Sequence, residues 1–222
     1  MPDLSLNPAS EIDRKSTLAI FSFVAGALSF LLLLASLQPL PATPAEQLSF
    51  AASHRTAYGL FASVVLAWAV FSIPFVVTLG TMLRPKGSVL ALTATILSAV
   101  GILLLGFAIF THVGAVMSIV AAGNPPRPED AIYQVAIWSS LRFYLTDPGL
   151  MAWGLGQFLF GWSAWKSGIL PNWLSVLGMI GGIAGLLTLA VYQTGALALV
   201  QICGFSIWGF ATGIVLLRRS SN

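Results

Sequence analysis

Charge is scarce in this chain: only 8% of its 222 residues are Asp, Glu, Lys or Arg, against roughly 25% in soluble domains. A fold of this size in water needs far more polar surface, so lipid has to solvate most of the molecule. Cysteine is nearly absent too. Cys203 stands alone, which excludes an internal disulfide and leaves the redox compartment unread. Two histidines, His54 and His112, are too few and too far apart for a local metal-ligand spacing. No glycine-rich phosphate loop, HExxH or nucleophile motif occurs. No lysine or paired carboxylate lies inside an apolar run, which argues against an ion-coupled transporter and leaves only a passive pore open. The formal net charge is +3, with the basic residues at the ends of apolar runs. They act as topology signals, and no nucleic-acid partner is expected.

What remains is apolar: 57% hydrophobic residues and a mean hydropathy of +0.91. A bilayer core of ~30 Å takes ~20 apolar residues as a helix. Runs meeting that need cover 17–37, 58–83 with Pro74 inside, 88–123, 149–165, 172–192 and 196–217. Breaks are expected at Arg84-Pro85-Lys86-Gly87, at 124–128, at 166–171 and at 193–195. A weaker apolar segment covers 131–145 before Asp147-Pro148 interrupts it. It reads either as an interfacial helix, with Asp147 then serving as the N-cap of the fourth span, or as part of that span.

With the N-terminus inside, six spans put Arg14, Lys15, Arg84, Lys86, Lys166, Arg218 and Arg219 on the cytoplasmic side and only Arg55, Arg127 and Arg142 outside. The expected fold is therefore all-α, an integral membrane bundle of about six transmembrane helices with both termini cytoplasmic. Its parts are a cytoplasmic segment 1–16, a transmembrane domain 17–217 and a tail 218–222. The run 88–123 would be ~54 Å long as one helix, well beyond the core. A long outer hairpin between spans three and four follows, making an outer cap from 38–57 and 112–147.

Gly178, Gly181, Gly182 and Gly185 hold small-xxx-small spacings, which let backbones approach where lipid offers no hydrophobic drive. Gln157 and Gln201, the main polar residues within spans, are expected to make interhelical hydrogen bonds.

Residues 150–188 contain a glycine-rich helix, the turn Lys166-Ser167-Gly168-Ile169-Leu170-Pro171-Asn172-Trp173-Leu174 and a second glycine-rich helix. Together with the Leu83-Arg84-Pro85 break inside 71–101, this resembles the DUF4386 family of uncharacterised bacterial membrane proteins. The resemblance implies a bacterial multi-span protein, in the inner membrane, and carries over no catalytic residue.

The cap collects the chemistry. His54, His112 and Asp147 are the acid–base candidates, and Arg55, Tyr58, Trp138, Arg142 and Tyr144 are the ligand-binding candidates. Such a set could bind an anionic headgroup. No cofactor is specified, although a shared depth for His54 and His112 would suit a bis-histidine haem. The first expectation is a binding or accessory protein. Its cap would engage a lipid, quinone or isoprenoid, a second copy of the chain, or a larger membrane complex. The alternative is an enzyme acting on a lipid-soluble substrate at the outer interface. A passive channel or transporter comes third.

Overall fold

The computed structural model describes residues 8–36, 43–84, 88–123, 128–190 and 195–220, which form helices and short turns with no strand among them. The breaks expected at 85–87, 124–127 and 193–194, with Lys86 and Arg127, lie outside the described residues, as do 221–222. Seven helices follow in order: α1 (Pro8–Ser36), α2 (Pro44–Ser53), α3 (Arg55–Leu83), α4 (Ser88–Ala121), α5 (Pro128–Ser167), α6 (Asn172–Ala190) and α7 (Gly195–Ser220). Four contain stretches long and apolar enough to cross a membrane: Ser16–Leu34, Arg55–Leu83, Val89–Ala121 and Leu197–Arg218. α6 has a shorter apolar stretch, Asn172–Leu187. The protein is an all-helical membrane protein.

The six long helices close into a ring, each packed mainly on two neighbours in the order α1, α3, α4, α5, α6, α7 and back to α1. Small residues decide how close those neighbours come. A Cβ on Gly26 of α1 would sit 2.7 Å from the Phe210 nitrogen of α7, and the Ser22 hydroxyl donates to the Gly209 carbonyl at 2.6 Å. A Cβ on Gly101 of α4 would lie 2.6 Å from the Gly149 carbonyl of α5. Gly154 and Gly182 do the same for α5 and α6, where a Cβ on Gly182 would lie 2.6 Å from the Gly154 carbonyl. Gly168, at φ 66°, ends α5 in the left-handed conformation that a glycine adopts freely.

Aromatic rings fill the middle of the ring. Trp153 meets Trp68 at 5.3 Å and Phe205 at 4.8 Å, while Phe75 meets Phe205 at 5.9 Å and Trp208 at 5.4 Å. These contacts tie α3, α5 and α7 across the centre. The Trp68 indole donates to the Ser29 hydroxyl at 2.7 Å, and Ser29 donates to the Ala25 carbonyl at 2.8 Å, so that buried donor is satisfied.

α5 decides the question left open at Asp147-Pro148. It is one helix of 40 residues with Pro148 inside it, so 131–145 and 149–165 belong to a single element. Asp147 is mid-helix and caps nothing. Proline removes a hydrogen bond to the carbonyl four residues back, here that of Tyr144. Packing outweighs that loss, because Gly149 lets α4 lie directly against the same turn: its Cβ would meet the Leu105 side chain at 3.0 Å.

Candidate functional site

α2 is a short helix that lies across the ends of α4 and α5. Its start is well defined: the Thr43 hydroxyl accepts from the Glu46 amide at 3.2 Å, and the Glu46 carboxylate accepts from the Thr43 amide at 3.0 Å, with Pro44 following the cap. His54 alone separates α2 from α3. Its amide donates to the Phe50 carbonyl at 2.9 Å and its ring stacks on Phe50 at 4.6 Å, leaving the side chain exposed.

α2 is anchored to the bundle through a small apolar cluster separate from the main core. Ala51, Val116 and Val135 are buried together, with Leu48, Tyr58, Ile119 and Val120 packed around them. Beside the cluster the Ser139 hydroxyl donates to the Gln47 side-chain carbonyl at 3.2 Å, a buried bond between α5 and α2. The exposed Arg55 guanidinium donates to the Val120 carbonyl at 3.3 Å and ties the start of α3 to the end of α4.

His112 lies one turn from Val116 on α4, and Arg142 lies two turns from Val135 on α5. The His112 side chain is only 2% exposed, and neither ring nitrogen has a hydrogen-bond partner within normal geometry among the described residues. The Arg142 guanidinium acts on its ring electrostatically, and the Trp138 backbone is the nearest hydrogen-bond partner, at a geometry poorer than a normal bond. Arg142 acts in the same way on Tyr58 of α3. Its guanidinium also stands 4.8 Å over the Phe143 ring, and it has no carboxylate partner among the described residues. Three helices thus bring Tyr58, His112 and Arg142 into one half-buried group, with Trp138 beside it.

The other sequence candidates lie around this group. His54 connects to it through rings, since Phe50 stands 4.6 Å from His54 and 6.3 Å from Tyr58. No hydrogen bond or ring contact joins the two histidines. Tyr144 is 79% exposed. Asp147 is half-buried with no ion-pair partner among the described residues. No cluster of three or more metal-ligating side chains forms among those residues.

Comparison with protein families covers nearly the whole chain. The family model described as "Domain of unknown function (DUF4386)" matches residues 17–219, from the apolar part of α1 to the end of α7. The chain belongs to the DUF4386 family. No curated protein and no solved structure matches it. Because the DUF4386 description assigns no activity, any role for this member rests on its own side chains.

Two features of this DUF4386 chain escaped the sequence reading. The first is α2, whose signal was present as Thr43-Pro44-Ala45-Glu46, a capping box with proline at the first helical position. The second is the behaviour of the two buried glutamines. Gln201 donates from its amide to the Leu150 carbonyl at 3.1 Å, as an interhelical bond should. Gln157 does not: neither of its amide atoms has a partner among the described residues. Instead its amide nitrogen lies against α6 where a Cβ on Gly181 would come within 2.6 Å of it.

Proposed function

We propose that this protein spans the membrane six times with both termini in the cytoplasm, and that its α2 end is an outer cap holding the polar end of an amphipathic ligand. The seven-to-three lysine and arginine asymmetry supports the orientation. Helix length supports the cap: α5, at 40 residues, runs ~60 Å, about twice a bilayer core. In a bacterial cell the host membrane is the inner one.

The observation that carries the binding role is His112. A buried polar group without a partner is expensive, and native structures keep few of them. Here one sits on α4 one turn from an apolar cluster that a short helix covers, within electrostatic reach of a half-buried cation. Such a site suits a molecule with a polar head and an apolar body.

The test is extraction of the protein from its native membrane in mild detergent, followed by lipid analysis by mass spectrometry. The parent should retain one amphiphile enriched over bulk lipid at about one per chain, and His112→Leu, which fills the same volume without polar atoms, should lose it. Identical bulk lipid on both would refute the role. Chemical turnover of the retained molecule would instead mark an enzyme that uses His112 for proton transfer.

A further inference from the structure

We infer that the head of the ligand is an oxyanion, a phosphate or a carboxylate, bound by Arg142 with His112 and Tyr58 as further donors. This rests on the binding role proposed above and names the chemistry of the same site.

The argument is an inventory of charge at the α2 end. Arg142 is the one cation drawn into the half-buried group, and the acidic residues nearest in sequence or space are placed elsewhere. Glu46 is held in the capping box by the Thr43 amide at 3.0 Å. Glu129 and Asp130 are exposed at the start of α5, ~18 Å along the helix from Arg142. Asp147 follows Arg142 by five residues, which places it about 140° around the helix axis. The cation therefore has only the Phe143 ring against it, at 4.8 Å. A ring face attracts a guanidinium weakly, and a carboxylate or phosphate that accepts from its planar fork does so far more strongly.

The neighbouring groups point to the same partner. Imidazole always carries at least one N–H, and the His112 ring has no partner within normal hydrogen-bond geometry, the Trp138 backbone being the one group placed to approach it. The Tyr58 hydroxyl is a further donor within electrostatic reach of Arg142. Donors from α3, α4 and α5 converge with no carboxylate among them. An oxyanion has enough lone pairs to satisfy all three and supplies the missing charge. A hydroxyl head would leave the guanidinium uncompensated, and an ammonium head would be repelled by it.

The test uses the full chain in phosphatidylcholine nanodiscs and measures saturable binding of matched twelve-carbon probes. These are dodecyl phosphate, dodecanoate, dodecanol and dodecyltrimethylammonium, with inorganic phosphate as a fifth. The two anionic amphiphiles should bind at least about tenfold more tightly than the neutral and cationic ones. Arg142→Gln should abolish that preference while Arg142→Lys keeps most of it, which separates loss of charge from loss of fold. Dodecanol binding as tightly as dodecyl phosphate would overturn the oxyanion assignment and leave the amphiphile role standing. Inorganic phosphate competing at the same concentration as dodecyl phosphate would uphold the oxyanion and remove the role of the apolar body. Saturable binding of none of the five would refute both.

Discussion

Replacing Gly182 by alanine tests the packing of α5 on α6 at its tightest point. The new Cβ would lie 2.6 Å from the Gly154 carbonyl oxygen and 2.7 Å from the Phe158 Cα. Ordinary carbon contacts begin near ~3.5 Å, so the two helices must separate by close to an ångström locally. The opposing atoms are backbone, and none can rotate away. Overpacking of this kind costs ~1–3 kcal/mol, offset by up to ~1 kcal/mol because alanine favours a helix over glycine. A net loss of about 1–2 kcal/mol corresponds to roughly 2–8 °C in a chain of this size.

Gly59→Ala is the internal control. Its Cβ meets nothing within 4 Å, so only the helix-propensity gain remains, up to ~1 kcal/mol. The lone Cys203, half-buried in α7, provides the assay. A thiol-reactive fluorophore added to protein in detergent reports unfolding as that sulfur becomes accessible on heating. Gly182→Ala should melt below the parent and Gly59→Ala at or above it. A Gly182→Ala protein that melts with or above the parent would refute the close α5–α6 crossing.

Two further outcomes follow from the glutamines and the topology. Gln157→Met should leave the melting temperature unchanged or raise it, because no hydrogen bond is lost, whereas Gln201→Met should lower stability by ~1 kcal/mol through its bond to Leu150; the same thiol-dye melt reads both, and equal losses would contradict the difference seen between the two amides. With Cys203 replaced by serine, a cysteine at the exposed Ser53 should react with an impermeant reagent added outside intact cells, and one at Ser221 should not. Labelling of position 221 from outside would reverse or break the proposed six-span orientation.

The glutamines also show where sequence reasoning ends. Both are single amides in apolar helices, and nothing local distinguishes them. Gln201 finds a backbone carbonyl on α5, while Gln157 meets a glycine face that offers no acceptor. The histidines divide in the same way. His54 and His112 fall near helix ends in the sequence, but one becomes an exposed elbow stacked on Phe50 and the other is buried on α4. The elbow at His54 exists because a helix of ten residues precedes α3, and that helix has too few apolar positions to stand out between long apolar runs. Pro148 left two readings open. Its local preference is to interrupt a helix, and contact with α4 through Gly101 and Gly149 keeps α5 continuous.

The sequence by itself determined the solvent, the all-helical class and the family. Apolar runs without charge cannot dissolve in water, and in lipid each backbone must satisfy its own hydrogen bonds, which a helix does within one segment. The glycine-flanked basic turn at 166–174 already pointed to DUF4386. Only the tertiary structure decided which helices meet, which glycines serve as contact points, and that Tyr58, His112 and Arg142 share one place. Those residues lie far apart along the chain, on three helices. Whether they converge depends on the rotation and depth of each helix, which are set by packing against neighbours rather than by the residues beside them.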